Sequence, residues 1–316
     1  MTNGKKEIIT SENLNFNRES IPWTSNLVVI IVCMVILILT FDPSMDMGGD
    51  NAQYVTYARS ILKGEYNNDA FIGAPPEIEV PPGYPLIITP VVYFFRNPWL
   101  PLKLLAMVLI IGGFYLSLRL FKKSDIPPAA SAFFVVAMVL NPGINIYSHV
   151  AITEAPYFFA TLLAIFLFDN SLKNKSNLKF AAASLITVLP IFIRPLGVAL
   201  ILGAILLLIM RKEFKRLAIF VSIAVLIYGP WFVRNQIEKT DAAGNMHMSY
   251  YLTSDTDPTA RLSGIGELMV RVVKNIAKYT LREIPTIFTG FVTSLNPLNV
   301  ILGIIVSILT FVGIIR

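Results

Sequence analysis

The sequence predicts an all-α polytopic membrane protein, a bundle of about eight spans with further helices lying against the outer membrane surface. Of its 316 residues, 55% are hydrophobic and only 15% charged, and mean hydropathy is +0.65. A soluble domain runs nearer a quarter charged. The apolar residues come in long blocks, as spanning helices require, rather than in the weak alternation of a barrel. Short clusters of lysine and arginine separate the blocks, as in cytoplasmic loops.

Residues 1–24 carry Lys5, Lys6 and Arg18 among polar residues and lack a signal-peptide cleavage pattern. They are expected to form a cytoplasmic tail leading into a retained first helix. Stretches 26–41, 99–121, 128–147, 152–168, 217–233 and 298–315 approach the ~20 apolar residues that a bilayer needs. Stretch 178–210, LKFAAASLITVLPIFIRPLGVALILGAILLLIM, needs a choice. One helix of that length would be about 50 Å long, against a hydrocarbon core of about 30 Å.

Charge decides the choice. Arg119/Lys122/Lys123, Lys173/Lys175/Lys179 and Arg211/Lys212/Lys215/Arg216 should all lie in the cytoplasm. A single crossing would separate the last two clusters, whereas a hairpin turning near Arg194-Pro195 keeps them together. Both chain ends are then cytoplasmic. Stretch 84–95, YPLIITPVVYFF, is too short to span and is expected to lie at the outer surface. The outer face collects 42–98 and 236–297, and 298–316 carries the final span. This is a multi-pass protein of the cytoplasmic (plasma) membrane. Its net charge of +6 follows from that topology and implies no nucleic-acid partner. Cys33 is the one cysteine, so an internal disulfide or thiolate cluster is excluded.

Chemistry is therefore sought where outer loops meet the membrane. Asp50 opens a helix in GGDNAQYVTYARSILKGEY; Gln53 three residues on suggests a capping box, and Gly64 a helix stop. Glu154, in HVAITEAPYFF, sits at the outer start of a span. Helix-dipole stabilisation is its plain explanation, but an ionisable group at the edge of an apolar helix is also a functional candidate. Arg194 lies between Pro190 and Pro195 in a recessed turn, where it needs an anion: Asp50, Glu154 or a phosphate. Arg234, in YGPWFVRN, suits a phosphate or an interfacial anchor beside Trp231. Tyr54, Tyr84 and His149 are candidates to line the substrate, and His247 is too distant from His149 for a local metal motif. No Walker loop, dinucleotide fingerprint, HExxH or GxSxG is present.

In their order, GGDNAQYVTYARSILKG, PPGYPLIITP, TEAPYFF, IRPLG and PWFVRN resemble the membrane glycosyltransferases of the GT-C fold. Within that fold they look most like the bacterial branch similar to protein O-mannosyltransferases and to the aminoarabinose transferase of lipid A. The resemblance covers residues 25–235 and implies an inverting transferase on the outer face. It would take its sugar from a polyprenyl-phosphate donor and pass it to a lipid, glycan or protein. It implies that Asp50 is the catalytic base or acceptor-orienting group, that Glu154 shapes the acceptor or metal site, and that Arg194 and Arg234 hold the donor phosphate. A divalent metal is compatible but not required. Asn51 stands where a second acid is often found, and the chain stops at Arg316 just after a span where relatives continue, as a fragment or shortened member would. The competing class is a transporter or lipid flippase without transferase activity, which would place ionisable sites nearer mid-membrane.

Overall fold

A computed structural model describes residues 23–44, 49–70, 72–238 and 265–283, together with positions 297, 301, 304, 305, 308 and 309. Most of the expected tail, His247, most of the segment 236–297 and most of the final span 298–316 lie outside the described residues. Among the described residues every element is helical apart from an isolated bridge between Asn67 and Pro76.

Among the described residues three helices are long and apolar enough to cross a membrane: α4 (Trp99–Lys123), α7 (Glu154–Leu172) and α11 (Phe214–Ile237). Shorter apolar helices accompany them: α1 (Trp23–Leu39), α3 (Gly83–Phe94), α5 (Pro128–Leu140), α8 (Asn177–Val188) with the one-turn α9 (Pro190–Ile193), and α10 (Val198–Met210). Helix α2 (Asp50–Leu62) is polar, and α6 (Pro142–Tyr147) is a short cap.

Packing begins at two glycines. On α4, a Cβ at Gly113 would overlap the edge of the Phe158 ring, and one at Gly112 would lie 2.8 Å from the ring of Phe159. Their absence lets α7 come close, as small residues do where lipid offers no hydrophobic drive to associate. Cys33 and Leu37 of α1, Phe114 of α4 and Val135 and Val139 of α5 fill one core around this contact. Phe168, Phe180, Val188, Leu208 and Phe220 join α7, α8, α10 and α11 in a second.

The helix directions follow from the loops. Lys123 pairs with Asp169 and donates to Asn170 Oδ1 at 2.8 Å, so α4 and α7 end together. Arg216, entering α11, donates to the carbonyls of Leu172 (3.0 Å) and Asn174 (2.5 Å) and lies 5.3 Å from the Phe180 ring. The three basic clusters therefore share one end of the bundle. The break falls at Arg194, whose extended backbone separates α9 from a 3-10 turn over Pro195–Gly197.

One expected span divides. The stretch 128–147 splits at Asn141, which is extended and whose side chain accepts the N–H groups of Gly143 (2.9 Å) and Ile144 (3.3 Å). Pro142, with no N–H to give, fits only the first turn of a new helix. Beyond α11, helix α12 (Ile265–Lys278) sets Glu267, Arg271, Lys274 and Lys278 opposite Leu268, Met269, Val272, Val273 and Ile276, and those apolar side chains are exposed.

Candidate functional site

At the end opposite the basic clusters, α2 and α3 form a small module with a buried carboxylate at its centre. Glu77 is 5% exposed. One oxygen accepts the backbone N–H groups of Glu79 (2.7 Å) and Val80 (2.9 Å); the other takes the Tyr57 hydroxyl and the Asn68 amide (3.3 Å). Gln53 donates to the same Tyr57 oxygen, as does Asn68 at 3.0 Å. Burial first, and the Glu77 carboxylate second, push the Tyr57 phenol far above its usual range. So satisfied a carboxylate fixes the 66–80 loop against α2 and leaves little to offer a ligand.

Arg234 completes this scaffold. Its guanidinium donates to the carbonyls of Glu77 (2.6 Å) and Tyr66 (3.2 Å) and lies 5.1 Å from the Trp231 ring, while Asn235 donates to Ile78 O at 2.9 Å. The end of α11 is thereby pinned to the α2–α3 module. The phosphate role implied for Arg234 would have to share donors already given to backbone.

The tighter gathering of candidates lies beside this scaffold. Asp50 is the first residue of α2 and is exposed. It is not the cap: the N-cap is Gly49, whose φ of +82° favours glycine, and no side-chain cap bond forms. The expected capping box is therefore absent, and Gln53 serves Tyr57 instead. The expected stop holds, since Gly64 follows α2 with φ +83°.

Glu154 opens α7 after Thr153 and forms an ion pair with Arg194 at 2.6 Å. Both side chains remain partly open to solvent, at 26% and 37% exposure. Tyr54, one turn along α2 from Asp50, is close enough to feel Asp50, Glu154 and Arg194. Burial raises its phenol pKa, and Asp50 and Glu154 raise it further against the opposing pull of the Thr153 hydroxyl and Arg194. Its ring meets Tyr84 edge-on at 4.9 Å. Asp50, Tyr54, Tyr84, Glu154 and Arg194, drawn from four separate elements, thus act on one small region.

Gly83 sets the position of Arg194 in this group. A Cβ there would lie 2.5 Å from the carbonyl carbon and oxygen of Phe192 and 2.9 Å from the nitrogen of Ile193. The start of α3 is therefore pressed onto the backbone of α9, immediately before Arg194. His149 belongs to a neighbouring group, edge-on to Phe41 at 6.2 Å and acting electrostatically on Asp42. The Ser44 hydroxyl and backbone N–H hold the Asp42 pKa below its usual value. Lys103, fully buried, donates to the carbonyls of Asp42 (3.1 Å) and Ser44 (2.6 Å).

Asp50 and Glu154 could each offer a carboxylate to a divalent cation. Among the described residues no three His, Cys, Asp or Glu side chains gather into a metal cage. A hard cation held here would draw its remaining oxygens from substrate phosphate and water, as magnesium commonly does. The arrangement can orient a hydroxyl at Asp50 and neutralise an anion at Arg194.

Comparison with protein families, with curated proteins and with solved structures finds no match to this chain.

Proposed function

We propose that this protein is a membrane glycosyltransferase that moves a sugar from a polyprenyl-phosphate donor to a lipid, glycan or protein acceptor. The reaction would occur at the outer face of the cytoplasmic membrane, with the basic loops inside and about eight segments crossing. The observation that carries it is the gathering of Asp50, Tyr54, Glu154 and Arg194 at the end opposite the basic clusters. A glycosyl phosphate already holds a good leaving group, so the work left is alignment and charge. Asp50, exposed at the helix start, would orient or deprotonate the acceptor hydroxyl. Arg194 would meet the departing phosphate, with Glu154 holding its guanidinium in place. Arg234 would act at one remove, fixing the outer module to α11. A lipid donor suits a site at the edge of an apolar bundle, because its chain can stay in the bilayer.

One feature favours a second reading, a carrier that moves a lipid-linked anion. The helix broken at Arg194 is the kind of element transporters use to meet charged substrates.

Purified full-length protein with labelled polyprenyl-phosphate sugars and membrane extract separates the two: a transferase forms a glycosylated acceptor and a carrier only redistributes donor. Asp50→Asn tests the acid directly. Asp50 makes no cap bond, so the substitution costs at most the helix-dipole term of about 0.3–1 kcal/mol. The variant should fold and bind donor while transfer falls by about 10²–10⁴-fold. An active Asn variant removes Asp50 from catalysis.

A further inference from the structure

The end of the bundle carrying the basic clusters has an open groove that the proposed reaction does not use. It has a volume of about 470 Å³ and lies between α4 and α7 on one side and α10 on the other. Leu120, Ile165, Phe168, Leu200 and Leu207 supply an apolar lining. Small residues keep the α10 wall low: a Cβ at Gly203 would meet no atom within 4 Å. From Ala199 to Leu207 that wall runs about 12 Å along the helix.

The groove changes character at its basic end. Lys123 lines it there, pinned by Asp169 and Asn170, and Lys173 follows with its ammonium 3.8 Å from Asp169. Arg211 is close enough to act on Asp169 as well. One carboxylate thus faces three cations, leaving a net positive mouth. The Lys173 side chain is 68% exposed and can swing toward a ligand.

We infer that the groove binds an anionic glycerophospholipid from the leaflet facing the basic loops. Its phosphate meets Lys123 and Lys173, and one acyl chain lies along Leu120, Phe168 and Leu207. A cationic mouth on an apolar slot is complementary to a lipid anion, and basic pockets between helices on this side of a membrane take such headgroups. A soluble anion would satisfy the lysines but leave the apolar slot uncovered. The basic mouth lies at the far end of α10 from Arg194, so the headgroup site is separate from the proposed donor phosphate. It rests on the chain being embedded in a bilayer and not on transferase activity.

The test is native mass spectrometry of the full-length protein in mild detergent, with phosphatidylglycerol, phosphatidylcholine of the same acyl chains, or inorganic phosphate. Phosphatidylglycerol should bind about tenfold more tightly than phosphatidylcholine, and inorganic phosphate should leave no adduct. Lys173→Ala, at an exposed position, should erase much of that preference without altering the fold. Gly203→Phe should fill the slot and weaken both lipids while the charges stay. Equal binding of the two lipids, inorganic phosphate matching phosphatidylglycerol, or undiminished lipid in both variants would overturn the site. So would cysteine cross-linking that placed residues 298–316 in the groove of the lipid-free and lipid-loaded protein alike.

Discussion

Replacing Gly83 by alanine adds one methyl group at the tightest joint of the candidate site. The new carbon would stand 2.5 Å from the carbonyl carbon and oxygen of Phe192. Carbon atoms in ordinary contact lie about 3.5–4.0 Å apart, so α3 and α9 must separate by roughly 1 Å. No rotamer can relieve the clash, because the opposing atoms are backbone. Overpacking of this kind costs about 1–3 kcal/mol. The displacement falls next to Arg194 and moves it relative to Tyr84 and Tyr54. Thermal unfolding in detergent, followed by tryptophan fluorescence, reads the stability loss, and the transfer assay reads the displaced arginine. Gly203→Ala is the matched control. Its Cβ meets nothing, and alanine in a helix interior gains roughly 0.5–1 kcal/mol over glycine. Gly83→Ala should therefore melt clearly below the parent and Gly203→Ala at or above it. Equal melting of the two variants would refute the close approach as the reason for glycine at 83.

Lys103→Met keeps the apolar length but strands the carbonyls of Asp42 and Ser44, so stability should fall by about 1–3 kcal/mol; an unchanged melting temperature would show that water replaces the ammonium at no cost. The phenols of Tyr54, Tyr57 and Tyr66 all have pKa values raised from 10.0, first by burial. A raised folded pKa gives stability that is intact below the unfolded value and lost as pH climbs toward the folded one. Chemical unfolding followed by circular dichroism between pH 9 and 12 should thus show stability falling above about pH 10, with a slope against pH that Tyr57→Phe reduces, and a slope unchanged by Tyr57→Phe would contradict it. Single-cysteine labelling in sealed vesicles should reach residue 67 from outside and residue 175 only from within. Reversed or same-sided labelling would overturn the topology.

The sequence made legible those features whose causes are local. The hairpin break at Arg194 follows from two flanking prolines and the sidedness of three basic clusters, and Gly64 marks the end of α2 by its own φ. The helix starts at Asp50 and Glu154 were visible for the same reason. The cap itself falls one position before Asp50, at Gly49, because glycine caps well and leaves no side-chain signature. Hydropathy alone makes 128–147 look continuous, because it ignores what Asn141-Pro142 does to a helix. The scaffold around Glu77 and the anchoring of Arg234 were not legible at all. Arg234 bonds residues 157 and 168 positions away, and no periodicity encodes such a contact. Lys103 had a faint signal, a lysine one turn into WLPLKLLAMVL. Only the folded neighbourhood shows that backbone carbonyls receive it.

The direction of those long-range bonds bears on how the chain is made. Lys103, Arg194, Arg216 and Arg234 each find their acceptors in segments synthesised earlier: residues 42 and 44, residue 154, residues 172 and 174, and residues 66 and 77. On the ribosome, each of these cations emerges after the groups that will receive it. A cation entering the bilayer alone is costly, so this order spares the nascent protein a period with orphaned charges. Lys123 is the exception, since Asp169 comes later. It lies at the loop end of α4, where water can serve until its partner arrives.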